Sequence, residues 1–266
     1  MAPQPRKRFA QHWLRSEKAL EKIVAAAQLT QSDRLLEIGP GTGVLTRRLL
    51  PEVESVVAVE IDRDLCQRLV SSFGEAENFL LLQGDILSLD LNSLVTSHPN
   101  KVVANIPYNI TGPILEKLLG TIAHPRETYE LIVLLVQKEV AQRLVAPPGT
   151  KAYGALSVKI QYLAACELIC DVSSKAFQPP PKVDSAVVRL RPRPQENPAS
   201  NAGYLGTLVK LGFANRRKML RNNLKGEVES DRLSQLLEQL EINPQARAEN
   251  LSVHNWIALS NQLSRE

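Results

Sequence analysis

The sequence predicts a doubly wound, mostly parallel α/β sheet, Rossmann-like in its winding, that carries a small all-helical C-terminal domain. Three observations predict it. Short apolar runs alternate with helix-period segments through residue 144, a glycine-rich turn follows the first of these runs, and only helical spacing remains after a Pro-rich stretch.

Taken in order, Ser16 suits an N-cap, and Leu20, Ile23, Val24 and Ala27 then fall at helical spacing. The runs 34–38, 55–59, 79–83, 101–104 and 131–136 read as buried parallel strands, because they are apolar without alternation. Between them, 44–50, 62–73, 112–119 and 138–144 show helical periodicity. Two further runs, 168–172 and 185–190, have no crossover helix between them and read as an antiparallel hairpin at the sheet edge. The polar, Pro-containing stretch 192–203 reads as a linker, which divides the chain into domains 1–191 and 204–266. In the second, Leu233, Leu236, Leu237 and Leu240 keep one helix face apolar.

The 266 residues carry 32 Lys and Arg against 28 Asp and Glu, and the distribution says more than the small net charge of +4. Between Lys175 and Lys225 eleven basic residues face only two acids, Asp184 and Glu196. Elsewhere 21 basic residues are outnumbered by 26 acids. Arg6, Lys7 and Arg8 form a second basic cluster. Such segregation is the footprint of a surface that binds phosphate, and nucleic acid is the leading partner. Apolar runs are interrupted too soon for a membrane-spanning helix, residues 9–13 are too polar for a signal-peptide core, and three cysteines are too few for a disulfide framework. These features predict a cytoplasmic protein.

The chemistry begins at Gly39-Pro-Gly41-Thr-Gly43, between the first strand and its helix. Glycines there let a ligand approach the backbone at a helix N-terminus. Val44 and Thr46 deny the turn the G-x-G-x-x-G spacing of dinucleotide sites, and no phosphate loop with G-K-[ST] occurs. Glu37, just before the turn, suits a cofactor with an amino group. Glu60 closes the second strand, where an acid can hold both hydroxyls of a ribose. Asp85 ends the third, where a carboxylate can accept from an adenine amino group. Three acids at successive strand ends converge on the usual ligand crevice.

The fourth strand leads into Asn105-Ile106-Pro107-Tyr108. Adenine N6 is a poor nucleophile because its lone pair is delocalised into the ring. An Asn oxygen and a backbone carbonyl, accepting from its two N–H bonds, free that lone pair for an incoming methyl group. Pro107 fixes the turn that aims the Ile106 carbonyl, and Tyr108 offers a face on which a base can stack. Asn105 and Tyr108 are therefore the candidate catalytic residues.

With these pieces in hand, the chain resembles the rRNA adenine N6,N6-dimethyltransferase family. The resemblance rests on Phe9-Ala-Gln-His-Trp-Leu14, the glycine turn, Val59-Glu-Ile-Asp62, Gln83-Gly-Asp-Ile86, Asn105-Ile-Pro-Tyr108, Val136-Gln-Lys-Glu139 and Phe177-Gln-Pro-Pro-Pro-Lys-Val-Asp-Ser185. It implies S-adenosyl-L-methionine as cofactor, contacted by His12, Leu14, Gly39, Gly41, Glu60, Ile61, Asp85, Ile86 and Asn105. It implies that Phe177 and Tyr108 sandwich the target base. It also implies dimethylation of two adjacent adenosines near the 3′ end of small-subunit rRNA, by a monomer acting on a pre-ribosomal 30S particle. The family usually has Gln-Asn-Phe-Leu where this chain has Gln11-His12-Trp13-Leu14. Rival readings are a macrolide-resistance-type methyltransferase of large-subunit rRNA, a DNA adenine methyltransferase and a non-catalytic assembly factor on the same fold. The Phe177-to-Ser185 motif favours the small-subunit substrate.

Arg216, Arg217, Lys218 and Arg221 are the candidate phosphate contacts, on what reads as a helical pattern inside the basic half. Cys166 and Cys170 have no third ligand near them, so no metal site is expected. Ser157 and Ser173 show no triad spacing with the scattered histidines.

Overall fold

A computed structural model describes residues 11–90 and 98–264. Phe9 and the cluster Arg6, Lys7 and Arg8 lie outside the described residues.

Seven strands form one sheet. In chain order these are β2 (Arg34–Ile38), β3 (Ser55–Glu60), β4 (Phe79–Gln83), β5 (Lys101–Asn105), β6 (Leu131–Gln137), β7 (Ala164–Val172) and β9 (Ser185–Pro192). Their order across the sheet is β4-β3-β2-β5-β6-β9-β7, with β4, β3, β2, β5 and β6 mutually parallel and β9 antiparallel to β6. The predicted doubly wound sheet is therefore present, and its order reverses beside β2, where the crevice of such folds opens. Strands β3, β5 and β6 each extend one residue beyond the apolar run, so Glu60, Asn105 and Gln137 still belong to the ladder. β1 (Trp13–Leu14) and β8 (Phe177–Gln178) form a separate two-stranded ribbon that sequence periodicity does not reveal.

The helices of this part begin where capping chemistry starts them. Ser16 accepts from the Ala19 N–H at the head of α1 (Glu17–Ala27), and Leu20, Ile23 and Ala27 are buried along it. Gln28, at φ 49°, ends it. Asp62 caps α3 (Arg63–Phe73) by accepting from the Asp64 N–H at 3.0 Å. The predicted helix 44–50 is shorter: α2 (Thr46–Leu49) passes into a 3-10 turn at Leu50–Glu52, where Pro51 lacks the N–H an α-helix would need. α4 (Thr111–Leu119) and α5 (Lys138–Val145) follow β5 and β6. At the strand N-termini, Lys101 Nζ donates to Asp33 at 2.8 Å and to the Gln28 carbonyl at 2.6 Å, and Asn100 also donates to Asp33 at 2.9 Å. These donors hold the Asp33 carboxyl below its ordinary range against the opposing effect of burial.

Residue contacts divide the chain into two compact units. The first comprises Met1–Leu118, Glu127–Ala141 and Glu167–Pro192; the second comprises Leu119–Arg126, Gln142–Cys166 and Arg193–Glu266. The second unit thus includes α6 (Ala155–Leu163), a helix absent from the sequence reading, besides α7 (Ala202–Gly212), α8 (Leu220–Asn223), α9 (Ser230–Gln239) and α10 (Val253–Leu263). Its centre is aromatic: Phe213 lies 6.3 Å from Tyr153 and 5.9 Å from the fully buried Trp256. A Cβ at Gly212 would stand 2.4 Å from the Trp256 ring, so only glycine lets α7 approach this closely.

Candidate active site

The cleft opens at the C-terminal ends of β2, β3, β4 and β5, as the connectivity of parallel α/β units requires. Gly39, Gly41 and Gly43 all have positive φ, between 61° and 75°, which L side chains rarely adopt. Gly43 must also be bare because a Cβ would meet the Phe73 ring at 2.4 Å. At Gly39 the nearest atom is the Asn105 carbonyl oxygen at 3.9 Å, so the cleft side of that residue is open. The turn is pinned by Gly39 N–H donating to the Val59 carbonyl at 2.9 Å and Gly41 N–H donating to Glu60 at 3.1 Å.

Two of the three expected acids are desolvated. Glu60 is 5% exposed, and its second oxygen accepts from the Asp62 N–H at 2.9 Å. Burial raises its carboxyl above the ordinary range, while the two backbone donors and the Ile61 N–H oppose that shift. Glu37 is deeper still. Its side chain accepts from the Thr46 hydroxyl at 2.7 Å, and burial pushes its carboxyl to about 8 with some help from the nearby Glu60 charge. Asp85 accepts from the Leu87 N–H at 2.9 Å and lines the cleft beside buried Ile86. Ile61, 45% exposed, presents an apolar face in the same place.

Among the described residues that line the cleft there is no Lys or Arg. Three carboxyl groups, an open glycine turn and apolar Ile61 and Ile86 do not suit a phosphate-bearing ligand. They do suit a cationic one that also carries hydroxyls and a flat base. S-adenosylmethionine has that chemistry, so the residues present fit the group the sequence reading implies.

On the other side of the cleft stand Asn105, Ile106, Pro107 and Tyr108. Asn105 donates its side-chain N–H to the His12 carbonyl at 3.3 Å, which leaves its oxygen as the group able to accept. Pro107, at φ −61° and ψ 131°, turns β5 into the 3-10 turn Tyr108–Ile110. The Tyr108 hydroxyl meets the Ser185 hydroxyl at 2.5 Å, and burial raises the phenol above its ordinary range. Sequence spacing could not foretell this partner, which is 77 residues away.

The segment Gln11–Leu14 lines the same cleft. Gln11 donates to Asp62 at 3.1 Å, and His12 Nδ1 lies 2.8 Å from the Pro179 carbonyl. Trp13, which no sequence signal marks as a site residue, packs its indole about 3.3 Å from the Cβ position of Gly41, and its buried Nε1–H has no hydrogen-bond partner. Leu14 is buried. Of the predicted site residues, then, His12, Leu14, Gly39, Gly41, Glu60, Ile61, Asp85, Ile86, Asn105 and Tyr108 meet around one cleft.

Phe177 does not join them. Its ring is 3% exposed and sits in the core with Leu14, Leu20, Ile23 and Val187. The physical reason is register: Leu14 and Phe177 are cross-strand partners in the β1–β8 ribbon and share its inward face. Instead, the ring stacked with Tyr108 is His12, with centroids 6.0 Å apart and planes 19° from parallel.

The basic cluster also differs from expectation. Residues 213–219 form a loop between α7 and α8, not a helix face. Arg216 is committed within its own unit, donating to the carbonyls of Lys151 and Tyr153 at 2.7 and 2.9 Å and pairing with Glu249 at 2.9 Å. All three contacts use its Nη2, and the residue stays exposed. Arg217 and Lys218 are exposed and Arg221 is half-buried. No group of three or more potential metal-binding side chains occurs among the described residues.

A family model described as ribosomal RNA adenine dimethylase matches residues 2–265. A ribosomal RNA small subunit methyltransferase A of Rippkaea orientalis is 69% identical over 267 residues, covering 98% of each chain. Among solved structures, a dimethyladenosine transferase from Plasmodium falciparum superposes with a TM-score of 0.81 at 28% identity, covering 96% of this chain and 98% of its own. The 23S rRNA methyltransferase ErmE superposes with a TM-score of 0.76 at 26% identity, covering 95% and 99%.

Proposed function

Since this chain belongs to the ribosomal RNA adenine dimethylase family, we propose that it dimethylates N6 of two adjacent adenosines near the 3′ end of 16S rRNA. S-adenosylmethionine is the methyl donor in this reading. The observation that carries it is the meeting of Glu60, Asp85 and Asn105 through Tyr108 around one cleft with no Lys or Arg among its described residues. The 69% identity to a small-subunit enzyme favours that substrate over large-subunit rRNA, whose methyltransferase ErmE shares the fold at 26%.

Glu60 would accept from the ribose hydroxyls of the cofactor and Asp85 from its adenine amino group, with Ile61 and Ile86 as the apolar wall for the adenine. Gly39 and Gly41 leave room for the amino-acid end, near His12 and Leu14. Bound there, S-adenosylmethionine would supply the methyl group that the target nitrogen receives, with a neutral thioether as its by-product. Asn105, oriented by the His12 carbonyl, accepts one N–H of the target amine, and the Ile106 carbonyl accepts the other. Both contacts strengthen as positive charge grows on nitrogen, so they act mainly in the transition state. Tyr108 stacks the base and holds the amine in line. The proton leaves to water after transfer. Arg217, Lys218 and Arg221 contact RNA phosphates.

The reading also places a monomer in the cytoplasm on a pre-ribosomal 30S particle. Residues 1–191 are its methyltransferase domain, joined by linker 192–203 to the helical domain 204–266. Calorimetric titration with S-adenosylmethionine and methyl incorporation into undermethylated small subunits test it together. We expect wild-type protein to bind the cofactor and add two methyls per adenosine, read by mass spectrometry of the rRNA. Glu60→Ala is expected to weaken cofactor binding by roughly tenfold or more, the scale of a hydrogen bond to a charged group. Tight cofactor binding without methyl transfer would favour an assembly factor over an enzyme.

A further inference from the structure

We propose that Lys117 is a positioning residue for the adenine end of the cofactor: its ammonium, reaching across from α4, holds in place the turn that carries Asp85. The proposal rests on the methyltransferase reading above and explains how Asp85 is aimed.

Asp85 heads a single turn that runs to Leu89. Its backbone carbonyl accepts from the Ser88 and Leu89 N–H groups, each at 3.0 Å, and one carboxylate oxygen accepts from the Leu87 N–H at 2.9 Å. That oxygen is committed to the turn, and the other is the acceptor an adenine amino group needs. The direction of the carboxylate therefore depends on how the turn is tilted. A single turn is too short to hold its own shape, and its last carbonyls have no partner inside it.

Lys117 supplies what the turn lacks. Its Nζ donates to the Leu87 carbonyl at 3.1 Å and to the Leu89 carbonyl at 2.6 Å, from 30 and 28 residues away. Two charge-assisted bonds to alternate carbonyls fix the tilt of the turn as well as its position. The side chain is half-buried, so water competes little for those bonds. It lies outside the cleft lining and acts through the turn, not on the ligand.

The helix that bears it is itself fixed. Ile114, Leu115 and Leu118 are buried along α4, and at its head the Thr111 hydroxyl donates to the Tyr108 carbonyl at 3.2 Å. From Thr111 to Lys117 the helix rises about 9 Å. One helix thus joins the Asn105–Tyr108 motif to the Asp85 turn, and it sets the adenine contact against the reacting end of the cleft.

The test is calorimetric titration of the full-length protein with S-adenosylhomocysteine and with S-inosylhomocysteine, in which an oxygen replaces the adenine amino group. Wild type should prefer the adenine compound by roughly ten- to a hundredfold, the scale of a hydrogen bond to a charged group. Lys117→Met keeps the length of the side chain but not its donors. It should bring that preference below about threefold while affinity for the inosine compound stays near wild type. Lys117→Arg should restore the preference, because a guanidinium also offers several N–H donors to paired carbonyls. In the protein without ligand, hydrogen exchange at the Leu87, Ser88 and Leu89 amides should quicken in Lys117→Met and return to the wild-type rate in Lys117→Arg. Melting curves check folding, and Lys117→Gln, too short to bridge both carbonyls, replaces Lys117→Met if the latter does not fold. An unchanged preference in the folded variant, or an equal loss for both compounds, overturns the positioning role and leaves a staple that serves stability alone. A wild-type protein that binds neither compound would sink the methyltransferase reading. The exchange rates would then judge the turn by themselves: quickened exchange keeps Lys117 as its holder, and unchanged exchange overturns it.

Discussion

The cleft and the loop 213–219 carry ionisable groups of opposite kind and hold them in opposite ways. In the cleft, Glu37 and Glu60 are 1% and 5% exposed, their carboxyls are raised by burial, and named donors hold their oxygens in place. In the loop, Arg217 and Lys218 are exposed to water. A desolvated group acts through its geometry, and one substitution there changes a specific step. Hydrated charges act through their number, and each can be exchanged for another. Arg216 marks the boundary between the two kinds: it is exposed in the loop, yet its Nη2 is engaged by Lys151, Tyr153 and Glu249.

The sharpest way to break this contrast is Asn105→Ala. If geometry rules the cleft, turnover should fall by about 10²-fold or more, while RNA affinity changes little and the melting temperature stays near wild type. Methyl incorporation per folded molecule measures it, and near-normal turnover in a well-folded variant would reduce Asn105 to a turn-capping residue. A smaller effect is expected from reversing Arg217, Lys218 and Arg221 together to Glu. RNA binding should weaken about tenfold at moderate salt, and the log–log salt slope should flatten by about two to three units, with cofactor affinity unchanged. Arg216→Ala is the internal control: it should lower the melting temperature and leave the salt slope near wild type, since its charge is already paired. Filter binding across a salt series, alongside melting curves, separates the two.

The smallest effect sharpens the cleft side. Glu37 holds its proton to about pH 8 in the folded protein against an ordinary value of 4.5. Its contribution to stability is therefore complete below pH 4.5 and is lost as pH rises through 8. Glu37→Gln keeps an oxygen to accept from Thr46 but cannot titrate. The melting temperature of the variant should fall less steeply between pH 5 and 8 than that of wild type, by about 2–4 °C for each kcal/mol of linked stability. Parallel curves for the two proteins would show that Glu37 is ionised in the fold.

Much of the cleft was legible because α/β connectivity leaves little freedom. Once 34–38, 55–59, 79–83 and 101–104 are read as parallel strands, their C-terminal ends must lie side by side, and Glu60, Asp85 and Asn105 must meet. Glycine at 39, 41 and 43 announces a turn that only positive φ can make, and all three adopt it. Local sequence thus determined which residues stand at the strand ends, since apolar periodicity and backbone permissiveness are properties of neighbours in the chain. What surrounds those residues depended on contacts between distant segments. The β1–β8 ribbon turns Phe177 into the core and leaves His12 facing Tyr108, although both aromatic positions look equally available in the sequence. The loop after α7 spends Arg216 on carbonyls about 65 residues away, which no charge count distinguishes from Arg217. Helix α6 escaped notice because its apolar residues serve a core made with later helices. Register, side-chain commitment and the choice of packing partner are set by free energies summed across the folded chain, and only the tertiary structure decided them.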